Sequence, residues 1–163
     1  MFNPRPFPFK RPAGPPPGLV VRAEELRTTI RLVPADLLAM RTGSTYAEGE
    51  FRLFLFNAPV LGAYPALTFT SAAGDELPNF TQTLLLYYFS TADAAPLTGK
   101  FVSFADLPAG RMYAQAFQGY SGDEVVKAFG EDLESFKVAC QKAGGNPLEV
   151  GSAAFVFEAL PQV

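Results

Sequence analysis

Apolar residues in the first part of the chain recur at helical spacing. Over 20–31 they alternate with charged side chains, which predicts a short amphipathic helix. The run 28–33 would also suit a strand because it contains β-branched residues, and we favour the helix. Pro34 suits the first turn of a second helix over 34–42, which Gly43 is predicted to end.

The next part of the chain shows the two-residue period that is typical of β-strands. Residues 50–57 alternate about a strand axis, and because both faces are largely apolar we expect a central strand. Pro59 and Gly62 predict a turn. Residues 64–70 predict a second strand, which a turn at 73–75 closes.

The clearest helix in the sequence covers 79–91. Asn79 is predicted to cap its start, with Gln82 completing a capping-box pattern. Apolar side chains occupy most of its circumference, so we expect this helix to be buried in the core.

The second half of the chain mixes strand and helix signals. Its predicted segments are, in chain order, a strand at 101–104, a turn through 108–110 leading into a short helical stretch, a helix from Ser121 to Gly130, a helix over 131–143 and a hairpin over 147–158. A capping-box pattern at Ser121 and Glu124 predicts the start of the first of these two longer helices.

These elements predict an α+β fold, with a mostly antiparallel sheet packed against helices. The segments assigned to that sheet are 50–57, 64–70, 101–104 and 147–158. One domain is predicted over 19–163. Residues 1–18 are predicted to be a disordered basic tail, because seven of the fifteen prolines lie there. The chain stops while still apolar, which predicts a domain incomplete at its C-terminus and a strand edge open to self-association.

Composition excludes several kinds of chemistry. The chain has no histidine and one cysteine, so a Ser-His-Asp triad, a histidine-ligated metal and an internal disulfide are excluded. We therefore predict no catalytic residues, no metal and no cofactor. The net charge of −3 argues against a nucleic-acid partner. No apolar run reaches the length of a membrane helix, so no membrane partner is expected and the predicted location is the cytoplasm.

Candidate binding residues cluster in two aromatic stretches. The predicted ligand-binding set is Tyr87, Tyr88, Phe104, Asp106, Arg111, Tyr113 and Phe117. Binding pockets are mostly apolar with a few polar groups, which tyrosine hydroxyls would supply. The alternative is that the rings belong to the core, with Asp106 capping a local turn and pairing with Arg111 at the surface.

The single cysteine gives no sign of a reactive thiol. Cys140 lies late in its predicted helix, where the helix dipole opposes a thiolate, and on the apolar side of that helix. We predict a small core residue at this position.

Four segments carry a family resemblance: TQTLLLYYF at 81–89, PLTGKFVSF at 96–104, LPAGRMYAQAF at 107–117 and AAFVFEALPQV at 153–163. From about residue 33 to its end the chain resembles the domain-of-unknown-function 3786 family of bacteria and archaea. The resemblance implies no established activity and a source among anaerobes. Some relatives carry cysteine-rich segments suited to iron–sulfur clusters, which this chain lacks.

Two departures from the family pattern qualify the resemblance. Some members have a histidine in the helix that here carries Tyr87 and Tyr88, so any role of that imidazole is lost. Members also continue beyond the position of Val163, which agrees with a shortened C-terminus.

Three functional hypotheses follow. The leading one is a non-catalytic accessory module that binds a small molecule or a protein through the aromatic region around Tyr88 and Tyr113. The second is an enzyme that uses Asp106, Lys100 or Tyr113 as acid–base groups. The third is a shortened fragment without independent function.

Overall fold

The computed structural model describes residues 17–161. The fold is α+β, as predicted. The described residues form two compact units: the first contains 17–53 and 59–95, and the second contains 54–58 and 96–161. The predicted tail lies outside the described residues except for Pro17 and Gly18, which begin the first helix. The single domain over 19–163 stays a prediction.

Two helices open the first unit. Helix α1 covers Pro17–Ile30 and confirms the helical alternative for this segment. Helix α2 covers Ala35–Thr42 and ends at Gly43, whose φ of 63° places it in the left-handed region that favours glycine. The buried side of α1 carries Ala23, Leu26 and Ile30 at spacings of three and four residues, as expected of an amphipathic helix.

A four-stranded sheet follows in the order β1-β2-β3-β4. The strands are β1 (Thr45–Ala47), β2 (Glu50–Leu55), β3 (Ala58–Ala63) and β4 (Thr68–Ser71). Antiparallel pairing joins β1 to β2 and β3 to β4. Strand β2 is internal, as its two apolar faces predict, and Phe51 and Leu53 on one of those faces are buried.

The predicted turn at Pro59 and Gly62 is wrong, because both residues lie within β3. The reversal falls earlier, at Phe56 and Asn57, whose φ values of 47° and 63° suit a tight two-residue hairpin turn. Gly62 serves packing, since a Cβ there would lie 2.8 Å from the ring of Phe69. The strand predicted over 64–70 begins only at Thr68.

Helix α3 covers Asn79–Thr91, but its predicted cap is wrong. Pro78 precedes the helix, and no side chain caps it. The helix is buried along one side only: Leu85, Leu86 and Phe89 are in the core, while the opposite side carries exposed apolar residues.

Gln82 is a buried polar residue of α3 with a complete set of partners. Its Oε1 accepts from Arg27 Nη2 at 3.0 Å and from the Phe69 backbone N–H at 3.3 Å. Its Nε2 donates to Glu76 Oε1 at 2.8 Å and to the Leu77 carbonyl at 3.2 Å. The amide therefore links α1, β4 and the β4–α3 connection, which is why it does not serve the predicted capping box.

The core of the first unit is aromatic. The ring of Phe89 packs against Phe51 at a centroid distance of 5.0 Å and against Phe69 at 5.5 Å. Of the fourteen buried apolar residues in the described part of the chain, thirteen belong to this unit and only Leu160 to the second. The second unit therefore leaves most of its apolar side chains in contact with solvent.

Up to residue 161, the second unit contains three helices, a short 3₁₀ turn and a hairpin. Its elements are the 3₁₀ turn Phe104–Asp106, α4 (Gly110–Tyr120), α5 (Gly122–Phe129), α6 (Leu133–Lys142), β5 (Asn146–Leu148) and β6 (Ala154–Val156). The three helices and the hairpin agree with the predicted segments.

The strand predicted at 101–104 is wrong. Phe101 and Val102 are exposed and belong to no strand, and a 3₁₀ turn begins at Phe104. A strand needs a pairing partner for its backbone groups, and this segment has none among the described residues. The hairpin does not join the main sheet either, because β5 and β6 form a separate two-stranded antiparallel sheet.

Helix ends in the second unit differ from the predicted caps. Ser121 Oγ donates to the Phe117 carbonyl at 2.6 Å and caps nothing, while Glu124 pairs with Lys127. The side chain that does cap a helix is Asp132, which accepts from the Ser135 backbone N–H at 3.0 Å at the start of α6.

Candidate functional site

The seven predicted binding residues divide between the two units. Five of them lie in the second unit, within the 3₁₀ turn and α4: Phe104, Asp106, Arg111, Tyr113 and Phe117. Tyr87 and Tyr88 lie on α3 in the first unit. The assignment of all seven to one binding site stays a prediction.

Tyr88 has the surroundings of a core side chain. It is buried, and its hydroxyl donates to the Thr42 carbonyl at the end of α2. Burial disfavours the phenolate and raises the pKa of Tyr88. These contacts give the hydroxyl a structural role in joining α3 to α2.

Tyr87 faces outward on the same helix. Its hydroxyl accepts from Arg22 Nε at 2.8 Å, and the Arg22 guanidinium carbon lies 5.3 Å from the ring centroid. Hydrogen bonds to Glu25 and Tyr87 raise the pKa of Arg22. The contact joins α1 to α3 at the surface and combines a hydrogen bond with a cation–π interaction.

The 3₁₀ turn and α4 pack through a pair of rings. Phe104 and Phe117 are stacked, with centroids 4.2 Å apart and an interplanar angle of 4°. Gly110, the first residue of α4, permits this approach, because a Cβ there would lie 1.9 Å from the Phe104 carbonyl oxygen. The glycine that the sequence assigns to a turn is therefore a point of close backbone contact.

Asp106 and Arg111 do not pair. Ser103 Oγ donates to Asp106 Oδ2 at 2.6 Å, so the carboxylate stabilises the local turn. Arg111 is exposed and takes part in no ion pair within residues 17–161. Its position two residues from Tyr113 corresponds to about 200° around the helix, so it projects from a different side of α4.

One side of α4 presents three aromatic rings to solvent, and we name this group the α4 stripe: Tyr113, Phe117 and Tyr120. Their spacing of four and three residues places them in a row. The residues are 60%, 47% and 84% exposed, respectively. Sequence reasoning included the first two and missed Tyr120, although the helical period from Tyr113 leads directly to it.

The residues proposed for acid–base chemistry are all exposed. Lys100 lies in the segment 92–103, which has no helix or strand, and Tyr113 is on α4. Asp106 already accepts from Ser103. None of these contacts orients one of the three groups toward another, so nothing in this geometry assigns a reaction to them.

Other chemistry is limited in the described part of the chain. Between residues 17 and 161 no group of three or more His, Cys, Asp and Glu side chains could hold a metal ion. Cys140 lies near the end of α6, and burial raises the pKa of its thiol, which opposes a reactive thiolate. None of the helices between those limits combines the length and the apolar character needed to cross a membrane.

Comparison with known proteins places the chain in a family. It matches no curated protein and no solved structure. The family described as Domain of unknown function (DUF3786) matches residues 35–163, a range that includes α2 through β6 and the whole α4 stripe. Since this range is most of the chain, the protein belongs to the DUF3786 family, and the predicted resemblance is confirmed.

Proposed function

We propose that the chain is a non-catalytic accessory module that binds a protein partner through the α4 stripe. The observation that carries this proposal is the row of three exposed rings on one helix. Helices that dock into a partner do so through anchors at this spacing. Tyrosine is also enriched among the residues that contribute most to protein interfaces.

The shape of the stripe favours a protein over a small molecule. Tyr113 and Tyr120 are seven residues apart, which corresponds to about 10 Å along the helix axis. The rings project from the outside of a helix, whereas small-molecule sites are concave and enclose most of their ligand. A partner that covers all three rings must itself supply the groove.

The charge of α4 indicates the chemistry of that groove. Arg111 is the only charged residue of this helix, and it projects from another side. Burying an unpaired charge against the rings would be costly, so the complementary surface should be apolar and uncharged. Hydrogen-bonding groups at its rim would take the hydroxyls of Tyr113 and Tyr120, as in interfaces that bury tyrosine.

The ring of Phe104 packs against Phe117, the central residue of the α4 stripe. Contact with Phe104 restricts the rotamers of Phe117 before any partner arrives. A side chain that is already ordered loses less conformational entropy on binding. We also propose a cytoplasmic location for the module, because a chain with one cysteine makes no use of an oxidising compartment.

Affinity isolation with matched variants tests the proposal. The tagged chain and its Tyr113→Ser/Tyr120→Ser variant are used to recover proteins from an extract of the cells that express it. Leu32→Ser is the control, since Leu32 is 80% exposed in the first unit. We expect a protein that the parent and Leu32→Ser chains retain and the stripe variant loses.

The recovered protein is then purified and titrated against the same three chains by calorimetry. The proposal requires the stripe variant to weaken binding at least about tenfold, which corresponds to two partly buried tyrosine contacts. Unchanged affinity would place the interface elsewhere. A parent chain that binds nothing but dimerises, and becomes monomeric on stripe substitution, would identify a second copy as the occupant instead.

A further inference from the structure

A cleft of about 400 Å³ lies within the second unit, and we name it the Phe54 cleft. Its lining residues are Phe54, Asn57, Glu158, Leu160 and Pro161. The first two come from the β2–β3 hairpin, and the other three follow β6. Clefts of roughly 300–1,000 Å³ are the usual size of small-molecule sites.

Hydrogen bonds hold the two walls of the cleft in place. The Phe56 backbone N–H donates to the Ala159 carbonyl at 2.9 Å, which ties the hairpin turn to the segment after β6. Asn57 Nδ2 donates to the Gly144 carbonyl at 3.5 Å, which orients the amide. The lining residues therefore belong to connected backbone and not to two independent loops.

The lining side chains offer two kinds of acceptor, the Glu158 carboxylate and Asn57 Oδ1, beside the second N–H of Asn57 Nδ2. The Glu158 carboxylate makes no hydrogen bond and no ion pair within residues 17–161. Because Asn57 donates through Nδ2, its Oδ1 also remains available to accept. A carboxylate and an amide oxygen that line the same cleft can both accept from a positively charged hydrogen-bond donor.

The remaining walls are apolar. The Phe54 side chain is largely open to solvent although it belongs to an internal strand, whereas the Leu160 side chain is buried. Pro161 completes the lining. A ring or alkyl group placed here would remove apolar surface from water, and a cation beside the Phe54 ring would gain a cation–π contact.

We propose that the Phe54 cleft binds a small organic amine. The protonated nitrogen would donate to Glu158 and to Asn57 Oδ1, and an apolar or aromatic body would lie against Phe54 and Leu160. A primary ammonium has three donors and no acceptor, which matches the acceptors of the cleft. This inference is independent of the α4 stripe, because none of the lining residues belongs to α4.

Titration of the full chain with 2-phenylethylamine, followed by backbone amide NMR, tests the proposal. We expect saturable shifts centred on Asn57 and Glu158. Glu158→Gln removes the charge at nearly constant shape, and it should weaken binding at least about tenfold, because charge-assisted hydrogen bonds are the stronger ones. Glu149→Gln changes an exposed glutamate of the same unit that is outside the cleft, and it should bind like the parent.

A second variant and a neutral analogue make the test specific. Asn57 has positive φ in a hairpin turn, so Asn57→Gly removes the amide while keeping a residue suited to the turn, and it should also weaken binding. 2-Phenylethanol has the same aromatic body without the charge, and it should bind at least about tenfold more weakly than the amine. Equal binding of amine and alcohol, equal binding by Glu158→Gln, or absence of saturable shifts would overturn the proposal.

Discussion

The ring of Phe104 lies parallel to the ring of Phe117, with centroids 4.2 Å apart. The contact joins a 3₁₀ turn to the helix that carries the α4 stripe, and it depends on a residue between the two. Gly110 has no side chain at the point where the Phe104 carbonyl approaches the start of α4. The position of the α4 stripe therefore depends on Gly110, which is not itself one of the stripe residues.

Substitution of Gly110 by alanine should disturb this packing. The new Cβ would lie 1.9 Å from the Phe104 oxygen, so the 3₁₀ turn has to move away from α4. Overpacked sites of this kind typically cost about 1–3 kcal/mol. We expect a fall of that size in the free energy of unfolding measured by urea denaturation, with loss of the near-ultraviolet signal of the stacked rings.

Gly119 provides the matched control on the same helix. An added Cβ there would meet nothing within 4 Å, so Gly119→Ala should gain helix propensity and stabilise the chain by about 0.5–1 kcal/mol. We therefore expect the free energy of unfolding to fall for Gly110→Ala and to rise for Gly119→Ala. Equal effects would show that Gly110 does not serve close packing.

Gln82 should contribute more to stability than a surface glutamine. Gln82→Leu leaves the buried Phe69 backbone N–H and the Arg27 guanidinium without their acceptor. Each buried polar group left unsatisfied costs about 1–3 kcal/mol, so we expect at least about 2 kcal/mol of destabilisation by chemical denaturation. Gln115→Leu on α4 changes an exposed glutamine and should alter stability by less than about 0.5 kcal/mol.

Substitution of the two adjacent tyrosines of α3 should have different effects on the free energy of unfolding measured by chemical denaturation. Tyr88→Phe removes the hydroxyl that donates to the buried end of α2, and we expect a loss of about 1 kcal/mol. Tyr87→Phe removes an exposed hydroxyl and should cost little. If Tyr88→Phe instead keeps full stability and abolishes partner binding, the tyrosine belongs to a binding site and its structural role is refuted.

Asp132 should give α6 a pH-dependent contribution to stability. Hydrogen bonding to Ser135 lowers the pKa of Asp132 in the folded chain. The charged form is thus favoured on folding, so the stabilisation is complete above the unfolded pKa of about 4 and disappears as the pH falls through the lower folded value.

The difference in stability between the parent and Asp132→Ala chains measures this contribution. It should be largest near neutral pH and should shrink toward zero in acid. Asp75→Ala is the control, because the Asp75 side chain makes no hydrogen bond or ion pair among residues 17–161. If the stability difference between the parent and Asp132→Ala chains stayed constant down to strongly acidic pH, the charged Asp132 side chain would not stabilise the start of α6.

Helices were predictable here because their signal is local. The segments 79–91, 121–130 and 131–143 were placed within a few residues, since a helical period and a nearby glycine are properties of neighbouring residues. Caps were predicted less well. Gln82 and Ser121 both match a capping pattern. Gln82 instead bonds to residues distant in sequence, and Ser121 bonds to the carbonyl of Phe117 in the preceding helix.

Strands were predicted less well because pairing is not local. Glycine is common in turns, but Gly62 lies within β3, where the ring of Phe69 occupies the space that a side chain would fill. Residues 101–104 include aromatic and β-branched residues that favour a strand, yet no neighbouring strand is available to them in the described chain. Strand propensity alone therefore could not decide which segments join the sheet.

The sequence by itself determined that α4 carries a row of aromatic residues, because helical spacing places Tyr113, Phe117 and Tyr120 on one side once the helix forms. Only the tertiary structure decided that this row is exposed while Tyr88 is buried. It alone brought Phe54 and Asn57 to Glu158, about a hundred residues away in sequence. The physical reason is that periodicity records which side a residue occupies, whereas contacts distant in sequence depend on how whole elements pack.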